Sequence, residues 1–301
     1  MLTQTSTHQP SARPGDLSES AAASPYERSV RALRANARMQ DFLRNNYLDE
    51  DLAEAVSRYS QSAEFGRAYS ILQPHLSPGL RLLDAGAGRG LTSLALAGQG
   101  LHVTSVEYDA SDVVGVGALA EYVRSHPSPV TPVRADILQL PFPDDCFDVV
   151  FCRAVLHHLD DLDRGLREIW RVLRPGGLFL ACNEHIVAMF FQGKRFLKAH
   201  PAAAFGVNES AYHALTYWWK FRRSGFWPIS LYGGVLDFAE FMGLASHNRV
   251  RWRLMQLPLA GSAFARLFHA IHVVVRRYVL VMEELLPVIS IIATKPGAYL
   301  R

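Results

Sequence analysis

Between residues 26 and 76 the apolar positions recur every three or four residues. Val30, Leu33, Ala37, Phe42 and Leu43 alternate with arginines, and Leu52, Ala55, Val56 and Tyr59 follow. Phe65, Ala68, Tyr69 and Leu72 complete the series, and Pro74 and Pro78-Gly79 end it. This spacing predicts amphipathic helices. Residues 1 to 25 are rich in Ser, Thr, Ala, Gln and Pro with almost no large apolar side chains, so a disordered tail is expected there.

From Leu80 the pattern changes. Leu80, Leu82 and Leu83 form a short apolar run, Asp84 follows, and Gly86, Gly88 and Gly90 occupy alternate positions before Leu91, Leu94, Leu96 and Ala97. This predicts a buried strand, a glycine turn and a helix. Further strands are expected at Leu101–Val106, closed by Glu107, at Val130–Ala135, closed by Asp136-Ile137, and at Phe147–Cys152. Helices are expected at Ser111–Ser125, with Ser111 as N-cap, and at Asp160–Arg174. Pro175-Gly176-Gly177 turns into a fifth strand at Leu178–Cys182. A helix at Glu209–Ser224 ended by Gly225, a sixth strand at Phe226–Leu231 and an antiparallel seventh at Pro287–Thr294 complete the pattern. Strands alternating with helices imply an α/β protein with a mostly parallel, doubly wound sheet.

Composition narrows the function classes. The 301 residues are 49% hydrophobic and 20% charged, a globular balance. A net charge of +3 gives no electrostatic case for a nucleic-acid partner. Cys146, Cys152 and Cys182 form no C-x-x-C pair, and no spacing suggests a metal site; reduced buried thiols and a cytoplasmic location are the expectation. No basic-then-apolar leader is visible at the start of this sequence. The apolar segment Phe264–Ala293 is interrupted by Arg266, Arg276, Arg277, Glu283, Glu284 and Pro287, so it does not read as a membrane span. Membrane-surface contact through it would need a cationic face, and only those three arginines are available.

The glycine turn discriminates between ligands. A dinucleotide fold uses G-x-G-x-x-G. Here the third glycine comes one residue early, and Asp84 would repel a pyrophosphate. These features disfavour a NAD(P)-dependent oxidoreductase. The stretch Asp84-Ala85-Gly86-Ala87-Gly88-Arg89-Gly90 resembles motif I of class I S-adenosylmethionine (SAM) methyltransferases. Glu107, Asp136-Ile137, Leu140-Pro141-Phe142, His157-His158-Leu159 and Leu173-Arg174-Pro175-Gly176-Gly177 fall in the family's order and spacing, over about residues 80–183.

That resemblance implies a Rossmann-like methyltransferase fold with seven strands, N-terminal helices and a helical cap, and SAM as cofactor. Gly86, Gly88 and Gly90 would pass beside it, with Asp84 beneath. Glu107 would accept from the ribose diol, and Asp136 from the adenine amino group with Ile137 beside the ring. Tyr108 would stack on the adenine edge, and Arg153, with Ala154, would line the methionine end. The implied organisation is a tail (1–25), a helical extension (26–76), a cofactor-binding core (77–183), and a region 184–301 that combines the last core strands with two insertions at about 184–208 and 232–286.

Both insertions leave from the carboxyl ends of strands, where open α/β sheets bind ligands. They are apolar and aromatic, so most of these side chains should pack together, with a few lining a pocket for a small-molecule acceptor, hydrophobic or glycosylated. Methyl transfer to oxygen usually needs a proton removed. His185, just past the fifth strand, is the first candidate base, ahead of His157, His158 and His213. A non-catalytic SAM-fold binding protein is the alternative of another class.

Overall fold

The computed structural model describes residues 23–186, 206–207, 210–233 and 288–297. Most of both expected insertions, and the tail up to residue 22, lie outside these residues.

Seven strands among the described residues form one sheet. They are β1 (Leu82–Ala85), β2 (Val103–Glu107), β3 (Val130–Arg134), β4 (Phe147–Arg153), β5 (Leu173–His185), β6 (Ile229–Gly233) and β7 (Val288–Thr294). Their spatial order is β3-β2-β1-β4-β5-β7-β6, parallel except where β7 runs against β5 and β6. The order reverses between β1 and β4, which creates a switch point at the carboxyl ends of the central strands.

Helices α1 (Pro25–Arg34), α2 (Gln40–Asn45), α3 (Leu52–Ser60) and α4 (Ala63–Leu72) form the N-terminal layer. Caps from Ser24, Asp51 and Ser62 start α1, α3 and α4 by accepting from backbone N–H groups inside the first turn. The crossover helices are α5 (Leu91–Ala97), α6 (Val116–Ser125), α7 (Leu162–Val172) and α8 (Ala214–Arg223). Apolar side chains bury both faces of the sheet. Ala55, Tyr59, Phe65, Leu72, Leu94 and Phe151 share one core, and Leu166, Ile169, Phe179, Tyr217, Phe221 and Phe226 share the other.

Element types match the sequence pattern, while several ends shift. Ser111 does not cap α6: its hydroxyl accepts from Val113 and Val114, closing a separate turn, and α6 starts five residues later. Helix α7 begins after Asp161, whose carboxylate accepts from Arg164 N–H. β5 extends back through Pro175-Gly176-Gly177, because Gly176 N–H donates to Lys295 O at 2.8 Å and Gly177 O accepts from Lys295 N–H at 3.1 Å. The end of β7 thus keeps these residues in the sheet. α8 stops at Arg223, where Phe226 N–H reaches Phe221 O and Gly225 N–H reaches Arg222 O, and β6 starts three residues after its expected position.

One arginine fastens the N-terminal layer to the sheet and another braces that layer internally. Arg89, 7% exposed inside the glycine turn, donates to Tyr47 O at 2.5 Å and Glu50 O at 3.4 Å. Arg34 donates to Leu48 O and Asp49 O at 2.8 and 3.0 Å. Burial, then repulsion from Arg34, pulls Arg89 down to about 10. Arg89→Met should therefore lose roughly 1–3 kcal/mol of stability, as for hydrogen bonds from a charged group. The check is denaturant unfolding together with tryptic digestion, which should cut faster between residues 28 and 44.

Candidate active site

The turn after β1 is built for close approach. Gly86 and Ala87 donate their N–H groups to Val106 O at 2.8 and 2.9 Å, which pins the turn to the end of β2. Gly86 has φ +78°, and a Cβ there would lie 2.6 Å from Val155. Gly90, at φ +85°, sits against Leu119 in the same way. Side chains at either position would meet both strain and collision. The glycine pattern thus holds three elements together as well as leaving space for a ligand.

Asp84 lies beneath the turn, buried, with Oδ2 accepting from Ser93 Oγ at 2.5 Å. Ser105 Oγ donates in turn to Ser93 Oγ at 2.7 Å. Burial pushes the carboxyl up to about 7, against the opposing pull of the Ser93 hydrogen bond. At the end of β2 the Glu107 carboxylate accepts from Gly88 N–H and Asp109 N–H, both at 2.8 Å. Burial raises this carboxyl too, while those donors oppose the rise. Its oxygens are oriented by main chain and keep lone pairs for a further donor. Asp136 Oδ1 accepts from Leu138 N–H at 2.8 Å and so starts the short turn that seats the buried Ile137. Tyr108 is 70% exposed beside Glu107.

The strand ends at the switch point use a left-handed residue each: Ala154 after β4 (φ +56°) and Asn183 within β5 (φ +57°). At Asn183 the β5–β7 register slips, and Glu184 turns inward with no exposure. Its carboxylate accepts from the N–H groups of Val155, Leu156 and His157, each at 3.1 Å, and pairs with His157 Nδ1 at 2.8 Å. Burial would raise Glu184, but the His157 contact and these N–H groups outweigh it and leave it below its ordinary value. Burial holds His157 low and neutral, partly offset by Glu184. The His157 ring stacks on His185 at 4.0 Å and lies 4.2 Å from His158. Val155, on the same loop, is the residue that packs against Gly86.

Arg153 has a different neighbourhood from that implied by the resemblance. Its guanidinium binds Glu64 at 2.6 and 3.3 Å, and lies over the rings of Tyr59 (5.2 Å) and Tyr47 (5.5 Å). Asn183 Nδ2 donates to the same Glu64 at 2.7 Å. Although burial opposes its charge, Glu64 holds the Arg153 pKa above its ordinary value. Arg153 therefore joins α4 to the ends of β4 and β5. α1 reaches the same edge, with Ser24 Oγ donating to Asp109 Oδ2 at 2.5 Å.

The structure thus gathers Asp84, Gly86, Gly88, Gly90, Glu107 and Asp136 at one sheet edge, and His157 and His185 beside them. Glu184 and Glu64 escaped the sequence reading. The available signal for Glu184 was an ionisable residue two positions after the apolar run Leu178–Cys182 and directly before a histidine. Among the described residues no cluster of His, Cys, Asp and Glu could hold a metal ion.

Similarity to known proteins follows the same segments. The family described as a methyltransferase domain matches residues 83–181. A demethylmenaquinone methyltransferase of Mycobacterium marinum is 30% identical over 208 residues, which are 67% of this chain and 82% of that one. A malonyl-[acyl-carrier protein] O-methyltransferase of Pectobacterium atrosepticum is 31% identical over 45% of this chain and about half (54%) of its own length. In structure, the Haemonchus contortus phosphoethanolamine N-methyltransferase 2 solved in complex with S-adenosyl-L-methionine superposes with a TM-score of 0.52. It is 18% identical, and the match covers 86% of this chain and 60% of that one, a likeness of fold alone.

The Asp84 carboxyl binds its proton more tightly in the folded chain than at its ordinary value of 3.8. Its contribution to stability is therefore fully present below about 4 and is lost as the pH rises through about 7. In Asp84→Asn that fall should be absent, so the difference between variant and wild-type stabilities measured across this range should show it. Glu107→Ala should weaken binding of S-adenosylhomocysteine by roughly 1–3 kcal/mol in calorimetric titration, as for loss of a charged acceptor.

Proposed function

This chain belongs to the class I S-adenosylmethionine-dependent methyltransferases, and from that premise we propose that it methylates a hydroxyl oxygen of an apolar, ring-bearing small molecule. SAM is the cofactor, and a small molecule is the acceptor. The observation that carries the oxygen reading is the buried Glu184–His157 pair, 2.8 Å apart and stacked on His185 at the cofactor edge. A carboxylate that fixes an imidazole is the arrangement a general base requires. The relative named for a quinone precursor supports an apolar ring acceptor, and the one named as an O-methyltransferase supports oxygen.

The residues at the turn fit the cofactor. Gly88 has φ +54°, where a Cβ would crowd Val114 O at 3.3 Å, and its N–H orients the Glu107 carboxylate, which keeps lone pairs for a ligand's donors. In this reading Glu107 accepts from the ribose diol and Asp136 from the adenine amino group, with Ile137 and Tyr108 flanking the ring. Asp84 supports the glycine turn from below. Arg153 acts through Glu64, holding α4 as a wall of the methionine end. When bound, SAM supplies a methyl group already activated on a sulfonium, so the protein need only align an acceptor and remove its proton.

Glu184 keeps the proton of His157 on Nδ1, so that the basic lone pair of the ring is the one on Nε2. His157 would take the acceptor's hydroxyl proton onto Nε2, so that this oxygen could receive the methyl group that SAM would supply. Burial keeps this imidazole neutral below its ordinary range, so the base stays unprotonated into mildly acid solution. His185, stacked on the same ring, sets its tilt and is the second candidate for the proton.

His157→Gln should lower kcat by roughly 10²–10⁴-fold with little change in SAM affinity, the loss typical of a general base. Labelled SAM and a panel of hydroxyaromatic acceptors provide the assay, and the carbon-13 shift of the transferred methyl reads the atom methylated. Full activity in His157→Gln alongside loss in His185→Gln would move the base to His185. A methyl on carbon or nitrogen would refute the oxygen assignment.

A further inference from the structure

Four large hydrophobic residues are conspicuously exposed among the described residues, and three of them share one region. Leu215 is 67% exposed, Trp219 57% and Trp227 48%. Leu215 and Trp219 are one turn apart on α8, and Trp227 stands four residues beyond the helix end. At about 100° per residue, Leu215, Trp219, Arg222 and Arg223 fall on one stripe of this helix, while Tyr217 and Phe221 fall on the opposite stripe and are fully buried. The core therefore accounts for Tyr217 and Phe221 and, among the described residues, does not use the outer stripe.

The charges on this stripe all have one sign. α8 contains no acidic residue, and its last turn carries Lys220, Arg222 and Arg223. Lys220 is paired with Asp163 of α7 at 2.5 Å. Arg222 and Arg223 are exposed, and the Arg222 guanidinium lies 5.4 Å from the centre of the Trp227 ring. A guanidinium over an indole keeps its charge while both present an amphipathic surface. Trp and Arg with an aliphatic anchor, and no carboxylate among them, match a lipid headgroup layer: indoles rest at the polar–apolar boundary and the arginines meet phosphate. No described helix is long and apolar enough to cross a membrane.

We propose that the outer stripe of α8, Leu215, Trp219, Arg222 and Arg223 together with Trp227, docks this protein on the surface of a membrane containing anionic phospholipid. The proposal stands on the stripe itself and not on the acceptor assigned above. The first helical residues follow the segment that bonds to the histidine site, where Ser210 N–H donates to His157 O at 2.9 Å and Tyr217 Oη to His185 O at 3.4 Å. One end of the docked helix is thus continuous with the active-site edge.

The test is flotation of the full chain with phosphatidylcholine vesicles, with and without phosphatidylglycerol. Binding should need phosphatidylglycerol and fall as salt is raised. Arg222→Gln/Arg223→Gln should weaken it by roughly tenfold or more, at about 1 kcal/mol for each arginine near the surface. Trp219→Ser/Trp227→Ser should do likewise, and both variants should keep the wild-type affinity for S-adenosylhomocysteine, which shows that they are folded. Quenching of Trp219 fluorescence by brominated phosphatidylcholine, lost in Trp219→Phe, would place the residue in the interface. Absence of vesicle binding, or binding unaffected by both double variants, overturns the proposal. So does concentration-dependent self-association abolished by Trp219→Ser/Trp227→Ser, because the stripe would then join two copies of the chain.

Discussion

A carboxylate taken out of water needs donors, and Glu184 finds four of them within one loop and its own histidine. Everything at the cofactor edge follows the shape this imposes. The three N–H groups it accepts fix the path of Val155, Leu156 and His157. That path puts Val155 against Gly86 and lays the His157 ring on His185. Removing the carboxylate would leave three buried N–H groups unmet, a cost of about 1–3 kcal/mol for each.

The same rule recurs around the site. Glu107 is satisfied by main-chain donors, and Arg34 and Arg89 by main-chain carbonyls of residues 47–50. Arg153 is met by Glu64 between two tyrosine rings. Arg89 and Arg153 thereby tie the N-terminal layer to the glycine turn and to the end of β4, and Arg34 braces that layer from within. Preorganisation of this kind suits a reaction whose electrophile arrives already activated, because alignment is the main thing left for the protein to provide.

The site also explains why helix α8 has two unlike faces. Tyr217 and Phe221 complete the core beside β5, and the segment before the helix closes over the histidines. The remaining face, aromatic and cationic, points away from both. A family built to reach different acceptors can vary such a face without disturbing the charges beneath it, since no buried ion of the cofactor edge depends on it.

Much of this architecture was legible in the amino-acid order. Short apolar runs and period-3.6 patterns gave the element types, because burial is a local requirement that each segment meets with its own residues. The glycine spacing with Asp84, and the acidic ends at Glu107 and Asp136, pointed to the strand edge where the candidate site lies, because a strand–turn–helix unit places its chemistry within a few residues of sequence. Glu184 and Glu64 were not legible in that way. Their meaning depends on partners 27 and 119 residues distant, His157 and Asn183, which only the sheet order brings together. Arg153 read as a cofactor contact, yet its charge is engaged by α4 once the N-terminal layer folds across β4. Sequence alone therefore determined the fold class and the glycine turn after β1, where neighbours in the chain are neighbours in space. Tertiary structure decided which histidine is held by a carboxylate and which arginines serve as struts, because buried charge is settled by whatever the fold packs against it.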